Sequence, residues 1–302
     1  MKSGFIAILG RPNVGKSSLM NAMVGEKVSI VSPKAQTTRD KIIGIATTDA
    51  YQMIFVDTPG VHRPRTHLGE YMEQCIEGAQ RDVDAVVIVL DATKKLSDTE
   101  LEFIESRLAH KAPVYVVINK TDLVSYDTVY PMLSRLAYLT NAAKGRGAIK
   151  EIIPTSARTG DNVELLKGYL EKELPEGEPY YPADEYTDKS ERYMICEIIR
   201  EKSLLFLQDE IPHGIGVVIQ KMTDEGGLAN IEADIVCEKK SHKSIIIGSG
   251  GQKLKTIGES ARGDIEKLLG EKVYLKLFVK VRDDWRNRRS VLDDIGYKLK
   301  KK

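Results

Sequence analysis

Near the start of the chain, Gly10-Arg11-Pro12-Asn13-Val14-Gly15-Lys16-Ser17 carries the spacing G-x-x-x-x-G-K-S/T. That pattern suits a polyphosphate. The glycines let the backbone curl until successive N–H groups point inward, and a following helix adds the positive end of its dipole. Lys16 can reach the β- and γ-phosphates as a point charge, and the Ser17 hydroxyl is a ligand of the kind Mg²⁺ takes, with Ser18 next in line. Downstream, Asp57-Thr58-Pro59-Gly60 closes an apolar run. An acid there can hold Mg²⁺ through water, and the Gly60 N–H is free to meet a γ-phosphate, with Val61 alongside. Between the two motifs, the polar stretch Ser32–Asp40 contains Thr37-Thr38. A hydroxyl offered to Mg²⁺ only when a γ-phosphate is present would make this loop a switch. Either threonine could supply it; Thr38 is favoured. Ser17, Thr38 and Asp57 are the expected metal ligands, and Lys16, Thr38 and Gly60 the expected catalytic groups.

A second constellation concerns the base. Asn119-Lys120-Thr121-Asp122 follows another apolar run. Guanine presents an N1–H and a 2-amino group on one edge, which a carboxylate accepts as a pair. Adenine presents neither, so Asp122 would be left buried and unpaired by the wrong purine. The Lys120 stem can lie over the base plane. Thr155-Ser156-Ala157 would complete the pocket, with the Ala157 N–H turned to the guanine O6.

A third motif, Gly248-Ser249-Gly250-Gly251, separates Ile245–Ile247 from a segment bearing Lys253, Lys255 and Arg262. A G-x-x-G turn between two helices admits the backbone of a single-stranded nucleic acid and clamps about four nucleotides. Lys243, Lys253 and Lys255 are close enough to neutralise phosphates around it. A tight turn between packed helices would read the same way. The order helix, two strands, helix, G-x-x-G, helix, strand favours the RNA-binding KH arrangement of type II.

The elements that must position these groups are legible as periodicity. Phe5–Leu9, Ala85–Leu90, Val114–Ile118 and Glu151–Pro154 are continuous apolar runs, as expected of parallel strands buried on both faces. Helical stretches Lys16–Val24, Asp98–Ala109 and Val163–Glu173 alternate with them, and Ile42–Ala46 and Gln52–Val56 form a closely spaced strand pair. The fold expected is α/β, a mostly parallel sheet with helices on both faces, over residues 1–174. Pro175–Asp188, with three prolines and several acids, reads as a linker, taken as residues 175–189. An α+β domain follows over 190–282. It begins with a helix at Glu191–Gln208 whose apolar positions are Ile195, Ile198, Ile199 and Leu205. Strands at Gly216–Met222 and Ala229–Cys237, a helix at Gln252–Leu269 and a strand at Val273–Val281 complete it. Residues 283–302 are a basic extension, in which Trp285 could stack on RNA beside Arg286, Arg288 and Arg289 or simply pack with Leu292 and Ile295.

Net charge is only +1 over 302 residues, but it is unevenly placed. Lys239–Lys302 holds 18 Lys and Arg against 8 Asp and Glu, a net +10, which leaves −9 for the rest. Such asymmetry suggests that the C-terminal part meets a polyanion. Cys75, Cys196 and Cys237 are odd in number and far apart, so neither a disulfide framework nor a zinc site is expected, and a reducing cytosol is. No stretch approaches the about 20 apolar residues of a spanning helix, so a soluble protein is expected.

GRPNVGKSSLMN, TTRD, DTPGVHRP followed by LGEYM, NKTD, TSARTG, IIIGSGGQKLKTIG and VKVRDDWR together resemble the Era family of bacterial GTPases, along essentially the whole chain. The resemblance implies a monomeric GTPase using GTP, GDP and Mg²⁺. It further implies binding to the 3′ end of 16S ribosomal RNA through the KH domain, and assistance to assembly of the small ribosomal subunit. It also implies a cytoplasmic location with peripheral association at the inner membrane, for which the tail Lys298–Lys302 could meet anionic lipid. Many small GTPases carry a glutamine where this chain has Val61, which cannot orient a water; with no obvious arginine finger beyond Arg63 and Arg65, slow intrinsic hydrolysis is expected. In related GTPases an asparagine at the place of Asn13 helps hold a potassium ion, so K⁺ is expected to accelerate the reaction. Two rival readings are an RNA-binding module with a structural nucleotide and a relative of the tandem ribosome GTPases.

Overall fold

The computed structural model describes residues 1–34, 37–60, 66–79, 83–142, 149–208, 211–224 and 226–298, the side chains of 76–79 and 140–142 excepted. Its elements run β1 (Lys2–Leu9), α1 (Lys16–Val24), β2 (Ile42–Thr47), β3 (Tyr51–Asp57), α2 (His67–Ala79), β4 (Ala85–Asp91), α3 (Asp98–Leu108), β5 (Val114–Asn119), α4 (Tyr126–Ala142), β6 (Ile149–Pro154) and α5 (Val163–Glu173). They continue α6 (Glu191–Phe206), β7 (Gly216–Asp224), β8 (Leu228–Cys237), α7 (Lys240–Ile247), α8 (Gln252–Leu269), β9 (Lys272–Val281) and α9 (Arg289–Ile295). By compactness the chain divides into two units: Met1–Ser29, Thr38–His62 and Cys75–Asp188 form one, and Ile30–Thr37, Arg63–Gln74 and Lys189–Lys302 the other.

The first unit is built on a six-stranded sheet in the order β2-β3-β1-β4-β5-β6. β2 pairs antiparallel with β3, and the other neighbours pair parallel. The continuous apolar runs are explained by two cores, one on each face. Ile6, Ile8, Val87, Val89 and Val117 pack on one side with helices α1 and α5. Ala7, Leu9, Ile88, Leu90 and Val116 pack on the other with α3 and α4. Successive side chains of a strand point to opposite faces, so a strand buried twice has no polar alternation to show.

Pro175–Asp188 is not a free linker. The Ser3 N–H donates to the Pro175 carbonyl at 3.0 Å, and the Gly177 N–H to the Met1 carbonyl at 2.9 Å. Gln52, fully buried, accepts from the Tyr180 and Tyr181 N–H groups and donates to the Tyr181 carbonyl. The Ile45 N–H of edge strand β2 donates to the Tyr186 carbonyl at 2.8 Å. The segment thus covers an edge that would otherwise offer unpaired backbone groups.

The second unit carries a three-stranded sheet in the order β7-β8-β9, with β7 antiparallel and β9 parallel to β8. Its core joins Ile195, Ile199, Ile231, Ile235, Ile257 and Ile265. Ser190 caps α6 by accepting the Tyr193 N–H. That helix ends at Phe206 and not Gln208, and Leu205, assigned above to its apolar face, is 46% exposed while Leu204 is buried. Trp285 is 0% exposed and its indole N–H donates to the Gly214 carbonyl at 2.9 Å, so it packs and does not stack on a ligand. Arg286 beside it makes a paired contact with Glu238 at 2.9 and 2.8 Å.

Candidate functional site

The loop Gly10–Gly15 joins the C-terminal end of β1 to α1, where an open parallel sheet presents its ligand crevice. Gly15 sits at φ +97°, and a Cβ there would lie 2.2 Å from Asn119 Nδ2, so both backbone conformation and space require glycine. Asn13 is left-handed as well, at φ +65°. Val14 anchors the loop in the core. Lys16 is buried, its ammonium donating to the carbonyls of Gly10 and Arg11 at 3.3 and 3.1 Å. Burial pushes the Lys16 pKa down, against the opposing charge of Asp57. Arg11 turns outward to Thr99 Oγ1. Ser18 follows on the first turn of α1.

Ser17, Thr38 and Asp57 meet. Ser17 Oγ donates to Asp57 Oδ2 at 2.6 Å and lies 2.9 Å from Thr38 Oγ1. Burial raises the Asp57 pKa, opposed by the charge of Lys16 and the hydroxyls of Ser17 and Ser29. Asp57 Oδ1 is buried with no hydrogen-bond partner among the described residues. Two hydroxyls and an orphaned carboxylate oxygen form a hard, oxygen-only donor set that fits Mg²⁺. Thr58 is buried, and a Cβ on Gly60 would lie 2.6 Å from the Pro12 nitrogen, which places the turn through Pro59 and Gly60 directly on the phosphate loop. Thr37 is differently engaged. Its hydroxyl donates to the Lys34 carbonyl at 2.6 Å, and its own carbonyl accepts from Arg200, a buried guanidinium paired with Glu197. Val61, Arg63 and Arg65, which carry the expectation of slow hydrolysis, lie outside the described residues.

At the C-terminal end of β5, Asn119 is a strut. Its Nδ2 donates to the Val14 carbonyl at 2.9 Å, and its Oδ1 accepts the Ala157 N–H at 3.0 Å. That N–H was expected to face the guanine O6; in this structure it braces Asn119. Thr121 N–H reaches the Thr155 carbonyl at 3.3 Å. Asp122 Oδ1 accepts from Ser156 Oγ at 2.6 Å, and the Arg158 guanidinium lies 2.7 Å from Oδ2. Ser156 first, then Arg158, hold this carboxyl below its ordinary pKa despite desolvation. It therefore presents an anionic edge at neutral pH.

Sequence reasoning missed Asp91. It is 4% exposed at the end of β4, and Lys120 Nζ lies 2.7 Å from it while also donating to the Asn13 carbonyl at 2.6 Å. Burial pushes the Asp91 carboxyl up, but Lys120 and Thr93 outweigh it and leave it below the usual range. Lys120 thus ties the base motif to the phosphate loop, with Asp91 holding its charge. An acid ending an apolar strand was the available sign, and by itself it marks only a turn.

In the second unit Gly248, Gly250 and Gly251 all take positive φ between α7 and α8. A Cβ on Gly248 would lie 2.8 Å from Lys253 Cβ. Two grooves flank the turn. One, of about 380 Å³, runs between α8 and β9 and is lined by Gly251, Leu254, Lys255, Arg262, Tyr274 and Lys276 among others. The other, of about 480 Å³, includes Phe206, Ile245, Gly248, Ser249 and Lys253. Lys253 and Lys255 therefore face different grooves, and Lys243 on α7 lines neither.

Comparison with known proteins agrees with this geometry. A family model described as "50S ribosome-binding GTPase" matches residues 5–120, and one described as "KH domain" matches 210–286. The GTPase Era of Clostridium botulinum (strain Kyoto / Type A2) is 48% identical over 301 residues, covering 99% of both chains; that of strain Alaska E43 / Type E3 is 46% identical with the same coverage. Two solved structures superpose with a TM-score of 0.92 at 37% identity, over 99% of this chain and 100% of theirs: a point variant of Aquifex aeolicus Era bound to GDP·AlF4⁻, and Era in complex with MgGDPNP and nucleotides 1506–1542 of 16S ribosomal RNA. Fold and site define a P-loop GTPase joined to a KH domain. The chain belongs to the Era family.

Proposed function

We propose that this protein is a GTP-driven switch that binds 16S ribosomal RNA near its 3′ end and assists assembly of the small ribosomal subunit. The single observation that carries this reading is the superposition, over nearly the whole chain, with the Era structure that holds both MgGDPNP and a 16S rRNA segment. The residues supply the mechanism. Gly10, Pro12, Asn13, Val14 and Gly15, with the N-terminus of α1, would cradle the phosphates. The Lys16 ammonium would exchange its carbonyl acceptors for oxygens of the β- and γ-phosphates. Ser17, Thr38 and Asp57 would hold Mg²⁺, which when bound would neutralise the negative charge of the β- and γ-phosphates. The Gly60 N–H would meet the γ-phosphate, and Asp122 would accept the guanine N1–H and 2-amino group. Hydrolysis releases GDP and phosphate and frees Thr38. Potassium beside Asn13 is part of this reading, and equal rates in potassium and sodium buffers would remove it.

RNA would lie at Gly248–Gly251, clamped by the backbone and by Lys253 and Lys255. The functional division is then a nucleotide part at 1–174, an RNA part at 190–282 and a basic extension at 283–302, in a monomer working in the cytoplasm. Among the described residues no helix is long and apolar enough to cross a membrane. Peripheral attachment to the inner membrane through the lysine tail is a separate proposal, tested by flotation with anionic vesicles.

The experiment is to crosslink the purified protein to total RNA with GTP or GDP and sequence what it holds. Enrichment of the 16S 3′ end, stronger in one nucleotide state, is expected. Enrichment of unrelated RNA in both states would overturn the assignment. Steady-state phosphate release that survives Lys16→Ala would favour the rival in which nucleotide is only structural.

A further inference from the structure

Strand β9 is an edge strand whose two faces differ. Val273, Leu275, Leu277, Val279 and Val281 point into the core of their unit. Lys272, Tyr274, Lys276, Phe278 and Lys280 point the other way and are exposed, Tyr274 by 59% and Phe278 by 37%. Lysines on an exposed edge are ordinary protection against pairing with another sheet. That purpose does not account for two large aromatic rings set between them. The rings lie four residues apart, roughly 13 Å along the strand. The Lys276 and Lys280 ammonium groups approach the Phe278 ring at 5.1 and 5.8 Å from its centroid. Across the sheet, the acids on this face are Glu232 and Asp234, in register with Lys276 and Phe278, while Lys221 stands opposite Glu232. Glu232 pairs with Lys276 at 3.5 Å with both side chains nearly half-exposed, a contact that water and salt weaken. Among the described residues, four lysines against two acids leave the face positive. Tyr274 and Lys276 also line the groove between α8 and β9 that opens beside Gly251.

Aromatic rings alternating with cations are the means by which proteins hold single-stranded nucleic acid without reading every base. The rings stack bases, and the cations track phosphates. A G-x-x-G clamp engages only about four nucleotides, so a longer strand must leave its groove over some surface. We propose that the outer face of β9 is a second contact for single-stranded RNA, with Tyr274 and Phe278 stacking bases and Lys272, Lys276 and Lys280 neutralising phosphates of the strand that emerges from the groove. This rests on the RNA-binding reading above and adds a surface to it. In the free protein the lysines cover Phe278; with RNA they move to phosphate and the ring takes a base.

The test is fluorescence anisotropy of the full chain with a four-nucleotide RNA and with the twelve 3′-terminal nucleotides of 16S rRNA. Phe278→Ala, at a ring that lines neither groove, is expected to weaken the twelve-nucleotide RNA about 10- to 100-fold and leave the shorter one unchanged. Lys272→Glu with Lys280→Glu, at exposed positions with little bearing on folding, should flatten the salt dependence of the longer RNA by about 1.4 in log–log slope. Gly250→Asp, which puts a negative charge into the turn, separates the two readings. If it weakens both RNAs while the β9 variants leave affinity and salt slope unchanged, the outer face is not a contact and the groove stands. If it is silent while the β9 variants lose the longer RNA, the face stands and the groove falls. If the parent protein binds neither RNA, both fall.

Discussion

Ser17 and Thr38 are hydrogen-bonded to each other, oxygen to oxygen at 2.9 Å, and the Ser17 hydroxyl donates to Asp57 Oδ2 at 2.6 Å. The expected metal ligands are therefore joined in one hydrogen-bonded cluster, with Asp57 Oδ1 left unpartnered among the described residues. Thr37, the neighbour that shared the expectation, spends its hydroxyl on the Lys34 carbonyl. Thr38→Ala should lower GTP hydrolysis at saturating Mg²⁺ by roughly 10²-fold, about 2.7 kcal/mol of transition-state stabilisation. GDP affinity should be nearly unchanged. Thr37→Ala should alter the rate by less than about threefold. Single-turnover hydrolysis compares them, and a reversed order would show that Thr37 faces the metal.

Asp122 should remain ionised well into acid. Ser156 and Arg158 depress its pKa, so the carboxylate form predominates above the ordinary Asp value of about 3.9 and is lost only as pH falls through a still lower one. Its contribution to folding follows the same course, present above about pH 4 and lost below. GDP affinity should accordingly be flat from pH 8 to about pH 5 as far as this group is concerned. Asp122→Asn replaces an acceptor oxygen with a donor and should weaken GDP by roughly 10²-fold or more while improving xanthosine nucleotides, whose C2 carbonyl accepts. Titration calorimetry with both diphosphates decides this, and an unchanged ratio would remove Asp122 from the base pocket.

Asp91 holds Lys120, which in turn holds the Asn13 carbonyl. Asp91→Asn keeps the shape and an acceptor for Thr93 but leaves Lys120 without its counter-charge. Nucleotide affinity should fall about tenfold, mostly through faster dissociation, since a charge-assisted hydrogen bond contributes about 1.5–3 kcal/mol. Stopped-flow release of a fluorescent GDP measures it. No change in off-rate would make Asp91 a strand-ending acid and nothing more.

Arg200 and Glu197 form a buried ion pair on α6, and Arg200 also donates to the Thr37 carbonyl. Arg200→Met would strand Glu197 in the interior and should destabilise its unit by about 3–5 kcal/mol. Removing both charges, Glu197→Leu with Arg200→Met, should recover most of that loss. Trp285 is the single tryptophan and lies in this same unit, so its fluorescence during urea unfolding follows the unit by itself. A double variant no more stable than Arg200→Met would mean that the Thr37 carbonyl, and not the pair, accounts for the loss.

The sequence by itself determined what is local. Strands buried on both faces leave unbroken apolar runs, and phosphate, metal and base motifs sit where such runs end, so their order along the chain already places them at one sheet edge. The helix Gln252–Leu269 after the G-x-x-G turn was equally legible, because an amphipathic period needs no distant partner. Helix α4 was not, since Pro131 inside it imitates a boundary. What only the tertiary structure decided is pairing at long range. Gln52 captures Tyr180 and Tyr181 from 128 and 129 residues away, which turns a proline-rich linker into an edge cover. Asp91 finds Lys120, Trp285 finds Gly214, and residues Ile30–Thr37 join a unit made mostly of the C-terminal chain. None of these carries a period or a spacing. Each is the outcome of buried polar groups having to meet a partner wherever the folded chain brings one within reach.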